Sequence, residues 1–190
     1  MFPPAFVYKP VMDYCMEREN DPALLRRALV LAGVMRWFAE FRGYTDAAEV
    51  WAASGLLRRA AHGKLRTFPD IGVNEEVLRI IRKTAVADAD AQAPLSEEDE
   101  LSCLLVTLDH LSALIIAVAA NRPKGSVRDL KVSAVQKKFR DMRFAPESNR
   151  MTIMQGARRM RWEIGDLTSK TIKAIRAYEE DIRESVEEIA

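Results

Sequence analysis

Apolar residues recur along most of the chain at intervals of three and four positions, which is the pattern of amphipathic helices. No stretch alternates strictly between apolar and polar residues with the β-branched enrichment that is typical of strands. The sequence therefore predicts an all-α protein, folded as a single-domain helical bundle.

Capping residues and glycines divide this pattern into separate helices. One helix is predicted to begin after Asp21 and to end at about Arg42. A second should be capped by Thr45 or Asp46 and end before Gly63. Further helices are predicted to start near Asn74, Ser96, Leu130, Asn149 and Asp166.

The first twenty residues differ from the rest, because Pro3, Pro4 and Pro10 interrupt any helical pattern. We expect residues 1–20 to form an irregular extension packed on the domain. The remaining residues, 21–190, have the length of one domain with a substantial core.

Residues 101–120 form the most apolar run of the chain, and Asp109 and His110 lie in its middle. An aspartate at the centre of a bilayer costs roughly 2.5 to 3.5 kcal/mol, and no aromatic belt flanks the run. The run is therefore interpreted as a buried core helix, and no membrane association is predicted.

The charge balance and the cysteine content of the chain limit the classes of function it could have. Lys and Arg number 29 against 28 Asp and Glu, so the chain has no strong nucleic-acid signal and any anion recognition must be local. Cys15 and Cys103 form no C-x-x-C pair, and the start of the chain does not read as a signal peptide. We expect a globular protein of the reducing cytoplasm, with both cysteines filling its core.

Catalytic motifs are absent from the sequence: there is no phosphate-binding glycine loop, no G-x-S-x-G turn, no H-E-x-x-H and no Cys/His cluster. The two histidines, His62 and His110, could form a metal site only with carboxylates such as Asp88, Asp90 and Asp109. The loop that carries Asp88 and Asp90 is interpreted as solvated, and His62 as a residue favoured by a helix C-terminus.

Two stretches nevertheless match a known pattern. The run L-D-H-L-S-A-L-I-I-A-V-A at 108–119, followed by Arg122-Pro123, and the K-K-F-R-D cluster within 132–145 have a specific order and spacing. Together with N-R at 149–150 and G-A at 156–157, they resemble a family of predicted HD-superfamily hydrolases. A weaker match covers V-M-R at 34–36 and V-W-A-A-S-G-L-L at 50–57. The resemblance implies an HD-like helical fold.

Members of that superfamily are metal-dependent phosphohydrolases, and the resemblance places their ligands on this chain. The first histidine falls on Arg27, the His-Asp pair on Arg58 and Arg59, and a further histidine near Thr84. Only the last ligand is kept, as Asp109. Arginine has no lone pair to give a metal. The resemblance therefore implies a pseudoenzyme without catalytic residues, metal or cofactor.

If the metal ion is lost, as the resemblance implies, the positive charges of the arginines and the negative charge of Asp109 must be balanced without it. We expect Arg58 or Arg27 to hydrogen-bond Asp109 in place of the cation. The alternative is that the arginines have moved to the surface, and that a hydroxyl such as Thr84 or Thr107 caps the aspartate.

A basic cluster remains as a recognition element, comprising Lys137, Lys138, Arg140 and Arg143. Concentrated positive charge suits a phosphorylated ligand, such as a nucleotide, or an acidic protein partner. The alternative is a solvated helix face, partly neutralised by Asp129, Asp141 and Glu147.

Two other functions stay open. The chain could be an active phosphohydrolase with non-standard ligands: Asp109, Asp88 or Asp90, and His62. It could instead be a structural or regulatory protein that forms a homodimer through its final helix, from about Asp166 to Ile189. That helix carries an apolar stripe, made of Leu167, Ile172, Ile175, Tyr178, Ile182 and Val186.

Overall fold

The computed structural model describes residues 21–60 and 95–187, together with Val11 and Cys15. Throughout these residues the regular structure is helical and no strand occurs, which confirms the predicted all-α class. The chain divides into two compact units, residues 1–83 with 180–190 and residues 84–179. The single domain of residues 21–190 stays a prediction.

The first unit contains two helices joined by a short 3₁₀ turn. They are α1 (Pro22–Phe41), the turn Thr45–Ala47 and α2 (Ala48–Ala60). As predicted, Asp21 caps α1, and its carboxylate accepts a hydrogen bond from the Ala23 N–H at 2.9 Å. Gly43 follows α1 with φ +86°, a conformation in which glycine avoids steric cost.

A glycine lets α1 and α2 approach closely. A Cβ built on Gly55 would lie 2.8 Å from the carbonyl oxygen of Leu31, so only glycine fits there. The two helices enclose a core of large side chains with almost no exposure, comprising Leu25, Leu31, Met35, Phe38, Trp51, Leu56 and Leu57. The buried part of this contact is apolar and follows the helical periodicity of the sequence. At its partly exposed edge, Arg36 on α1 forms an ion pair with Glu49 on α2 at 2.6 Å.

The second unit begins with α3 (Glu97–Ala120), the apolar run predicted to be a core helix. Seventeen of its 24 residues are buried, Asp109 among them. In the described part of the chain, α3 is the one helix long and apolar enough to cross a membrane, and 78% of its 18-residue apolar window is buried inside the protein. That burial is typical of a core helix.

Three more helices follow: α4 (Val132–Phe139), α5 (Arg150–Arg159) and α6 (Ile164–Glu187), the last of which belongs to the second unit as far as Glu179. The predicted caps Ser96 and Asn149 are confirmed. Each side chain accepts a hydrogen bond from the amide three residues later, at 3.2 and 3.1 Å.

The start of α6 differs from the prediction. The helix begins at Ile164, so Gly165 lies within its first turn and does not separate the two helices. The break comes earlier, at Arg161, whose φ is +56°. The Arg161 N–H donates to the Arg158 carbonyl and the Trp162 N–H to the Ala157 carbonyl, which is a Schellman cap formed without glycine. The helix predicted from Asn74 lies outside the described residues.

The contact between α3 and α5 is close and partly polar. A Cβ on Gly156 would lie 1.8 Å from Oγ1 of Thr107. That hydroxyl donates to the Cys103 carbonyl at 2.6 Å, and the Cys103 thiol points to the Gly156 carbonyl at 3.9 Å. Burial raises the pKa of the Cys103 thiol to about 11, which suits a core residue.

Candidate anion-binding site

The loop between α3 and α4 is held in place by two charged side chains of α6. Arg176 donates to the carbonyl oxygens of Val127 and Leu130, at 3.0 and 2.9 Å. Glu179 accepts hydrogen bonds from the Val127 N–H at 2.8 Å and from the Ser126 hydroxyl at 3.1 Å. These four bonds fix the conformation of the loop.

Arg122 stabilises the same loop from its other end. Its guanidinium donates to the carbonyl oxygens of Ser126 and Asp129, both at 3.3 Å. Two main-chain carbonyls leave several of its five N–H donors available, and they provide no opposite charge. The orientation of this cation is therefore set before any ligand arrives.

Next to this loop lies an open depression of about 430 Å³, which we call the basic depression. Its lining consists of Arg122, Asp129, Leu130, Lys131, Ser133, Ala134 and Lys137. Lys131 and Lys137 are exposed, and neither forms an ion pair with any residue that the structure describes. The lining thus contains three cationic residues and one acidic residue.

The N-terminus of α4 contributes to the same place. Lys131 is the N-cap residue of α4, and no side chain accepts a hydrogen bond from the first turn. A helix N-terminus presents amide N–H groups and a partial positive charge, and both favour an anion. Since Ser133 and Ala134 of this turn line the basic depression, the helix and the three cations act in the same direction.

The four residues of the predicted basic cluster do not all lie at the same site in the structure. Lys137 lines the basic depression, whereas the ammonium of Lys138 lies 3.6 Å from the Asp141 carboxylate and 4.7 Å from the centroid of the Phe144 ring. Arg140 and Arg143 are exposed and are not part of the lining. Their role in anion binding stays a prediction.

Arg122 and Lys131 were not predicted as members of the site, although the sequence contains a signal for them. Residues 121–162 carry twelve Lys and Arg but only three Asp and Glu, a formal net charge of +9 in a chain of +1 overall. Counting charges over successive stretches of the sequence reveals this excess, but it does not reveal which side chains lie together in the fold.

Arg150, the first residue of α5, is a second unpredicted element. Its side chain is buried, and burial lowers its pKa. Its guanidinium donates to five carbonyl oxygens of the preceding segment, those of Phe139, Asp141, Phe144, Ala145 and Ser148. The segment 139–148 is therefore folded around this cation, with Ala145 in the left-handed region at φ +44°.

The positions that the resemblance matches to metal ligands are distributed over both units. Arg27 on α1 and Arg58 and Arg59 on α2 are half-buried and lie in the first unit, and Asp109 on α3 is 6% exposed and lies in the second. Thr84 lies outside the described residues. Pairing of Asp109 with Arg27 or Arg58 stays a prediction.

One alternative for Asp109 is corrected by the structure. Thr107 does not cap it, because the Thr107 hydroxyl donates to the Cys103 carbonyl one turn earlier on α3. A threonine within a helix commonly forms this bond with the carbonyl four residues back. Thr107 and Asp109 are also two positions apart, which places them on opposite sides of the helix.

His110 has a structural contact in the second unit. Its Nδ1 accepts a hydrogen bond from the Asn149 N–H at 3.3 Å, which ties α3 to the start of α5. Among the described residues, no three His, Cys, Asp or Glu side chains are grouped so that they could hold a metal ion. The alternative ligands His62, Asp88 and Asp90 lie outside those residues.

Comparison of the chain with protein families, with curated proteins and with solved structures gave no match.

Proposed function

We propose that this protein is a non-catalytic, HD-like helical protein that binds a phosphorylated small molecule in the basic depression. The observation that carries the proposal is that Arg122, Lys131 and Lys137 line one depression together with the first turn of α4, which has no side-chain cap. Because the loop bearing Arg122 is fixed by Arg176 and Glu179, the site is preorganised and loses little entropy on binding.

The lining favours a phosphate ester over a bare anion. Lysine ammonium groups and a guanidinium supply charge-assisted hydrogen bonds to phosphate oxygens, and the Ser133 hydroxyl is a further donor. The single carboxylate, Asp129, repels phosphate but accepts hydrogen bonds from hydroxyl groups. A nucleotide or sugar phosphate provides both groups, with its phosphates at the cations and its hydroxyls towards Asp129.

The absence of catalysis rests on the resemblance and on the chemistry of arginine. The positions matched to the metal ligands of HD-superfamily hydrolases are occupied by Arg27, Arg58 and Arg59. A guanidinium stays protonated and cannot coordinate a divalent cation, so it cannot help to generate a metal-bound nucleophile. Binding without hydrolysis is the function that this combination supports.

The test is isothermal titration calorimetry of the full chain with ATP and, separately, with pyrophosphate at low salt. The double variant Lys131→Ala, Lys137→Ala should weaken binding of both about tenfold or more, since two charge-assisted contacts are lost. Affinity of the wild type should fall steeply with added salt.

The matched control is Lys173→Ala, which removes an exposed lysine from α6 outside the basic depression. It should leave the affinity unchanged. Equal weakening by the control and the double variant, or no binding of either probe, would refute the proposed site. Release of phosphate from ATP with Mn²⁺ by the wild type would refute the non-catalytic part.

A further inference from the structure

Exposed apolar side chains are concentrated in one part of the second unit. Of the four large hydrophobic residues exposed in the described part of the chain, three are methionines within 13 positions: Met142, Met151 and Met154. Their exposed fractions are 66%, 58% and 38%. Single exposed apolar residues are ordinary, but several together mark an interaction surface.

Helix α5 has two clearly different faces. Ile153, Gly156 and Ala157 are buried, and Gly156 lies directly against α3. The opposite face carries Met151, Met154, Gln155 and Arg158, all exposed. These four follow the spacing i, i+3, i+4 and i+7, so they form one continuous stripe along the helix. We call this stripe the methionine face.

The methionine face carries one charged side chain, that of Arg158. No Asp or Glu occurs between Ser148 and Trp162 in the sequence. Arg158 forms no ion pair with any described residue. A partner that covers this surface must therefore supply apolar side chains for the methionines and a carboxylate for Arg158.

The surface is preformed. Met142 lies in the segment that Arg150 holds through its carbonyl oxygens, and Arg150 directly precedes Met151 on α5. The loop methionine and the helix methionines are thus attached to one fixed element. Methionine itself is unbranched and polarisable, so it adapts to the shape of an incoming apolar side chain.

We propose that the methionine face binds an acidic amphipathic helix of a partner protein. Its apolar residues, spaced i, i+3 or i+4, and i+7, pack on Met151 and Met154, and an Asp or Glu residue pairs with Arg158. Charge complementarity selects this occupant, because Arg158 and the excess of positive charge over residues 121–162 would repel a basic helix. Nucleic acid would use this positive charge but leave the methionines uncovered.

The experiment measures binding of a fluorescein-labelled synthetic peptide to the full chain by fluorescence anisotropy. The peptide is an 18-residue helix with leucine at the apolar positions and glutamate elsewhere, and a second peptide has lysine in place of glutamate. We expect the glutamate peptide to bind, and the double variant Met151→Glu, Met154→Glu to weaken its binding at least tenfold. Arg158→Glu should weaken it several-fold.

The matched control for charge is Ser169→Glu with Ala177→Glu, since both residues are exposed on α6 and the added charge is the same. It should have little effect, and circular dichroism should show that every variant keeps its helices. Equal effects of both double variants, equal binding of the lysine peptide, or no binding of the glutamate peptide would overturn the proposal. The proposal would also be overturned if the free chain forms a homodimer that the double variant Met151→Glu, Met154→Glu dissociates. The methionine face would then bind a second copy of the chain.

This proposal does not depend on the basic depression. Lys131→Ala with Lys137→Ala should leave binding of the glutamate peptide nearly unchanged, while Met151→Glu with Met154→Glu should leave binding of ATP nearly unchanged. Loss of both activities in either variant would contradict the assignment of two separate sites.

Discussion

The helix pair α1 and α2 and the segment around Arg150 are stabilised in opposite ways. In the pair, large apolar side chains meet around Gly55, and the helical backbone satisfies its own hydrogen bonds. In the segment 139–148 no regular structure forms beyond the end of α4, and a buried guanidinium donates hydrogen bonds to five of its carbonyls. The stability of the helix pair depends on the volume of many apolar side chains, whereas the conformation of the segment 139–148 depends on the single side chain of Arg150.

Because the segment depends on one side chain, we expect the largest loss of stability when Arg150 is replaced. Replacing it by methionine keeps a side chain of similar length but removes the donor to three buried or partly buried carbonyl oxygens that have no main-chain donor, those of Phe139, Phe144 and Ser148. Since each such group costs about 1 to 3 kcal/mol, we expect the free energy of unfolding to fall by about 3 kcal/mol or more. Urea denaturation followed by circular dichroism measures this change.

A lysine at position 150 serves as the comparison. It keeps the charge but lacks the planar fork that reaches several carbonyls at once, so Arg150→Lys should recover only part of the loss. If Arg150→Met costs less than about 1 kcal/mol, the segment is held by other contacts and the contrast with α1 and α2 disappears.

The two regions also differ in how well the sequence predicts them. The apolar period and the capping residues Asp21, Ser96 and Asn149 predict where α1, α3 and α5 start, because these signals are local. The role of Arg150 is not encoded in any such pattern. Its partners are main-chain oxygens, which every residue carries, so the loop conformation decides which of them it meets.

The candidate site shows the same limit. The charge of Lys137 and Lys138 is evident from the sequence, but the two side chains leave α4 about 100° apart. One faces the basic depression and the other meets Asp141 and Phe144. Arg122 joins the site only because the loop after α3 folds back towards α4. Charge counts predict the kind of ligand, while the fold selects the residues that meet it.

The two close helix contacts offer a second comparison, at Gly55 and Gly156. Alanine at either position introduces a Cβ where there is no room, and overpacking of this kind costs about 1 to 3 kcal/mol. The obstacles differ in kind. Gly55 faces the backbone carbonyl of Leu31, whereas Gly156 faces the side chain of Thr107.

A double-mutant cycle separates these two cases. Thr107→Ala removes Oγ1 and Cγ2, so it should restore part of the stability lost in Gly156→Ala. Leu31→Ala leaves the obstructing carbonyl in place and should restore none in Gly55→Ala. Thermal unfolding of the single and double variants tests both expectations. Rescue at Gly55, or none at Gly156, would show that the helices shift as whole bodies instead.

The smallest expected effect concerns the thiol beside this contact. Cys103 lies on α3 near Gly156, and burial raises its pKa to about 11 from about 9 in the unfolded chain. Between these values the unfolded chain has lost the proton that the native state keeps, so stability falls as the pH rises. From pH 8 to pH 10 the free energy of unfolding should drop by about 1 kcal/mol through this group.

Many lysines titrate in the same range, so the effect must be read as a difference between the wild type and Cys103→Ala. The wild type should lose about 1 kcal/mol more than the variant over this interval. Native Cys103 should also react with iodoacetamide at pH 8 about a hundredfold more slowly than in urea, because the thiolate is the reactive form. A native rate close to the unfolded one would show that the α3 and α5 contact opens readily. In that case the polar contact around Thr107 would be weaker than the apolar pair α1 and α2.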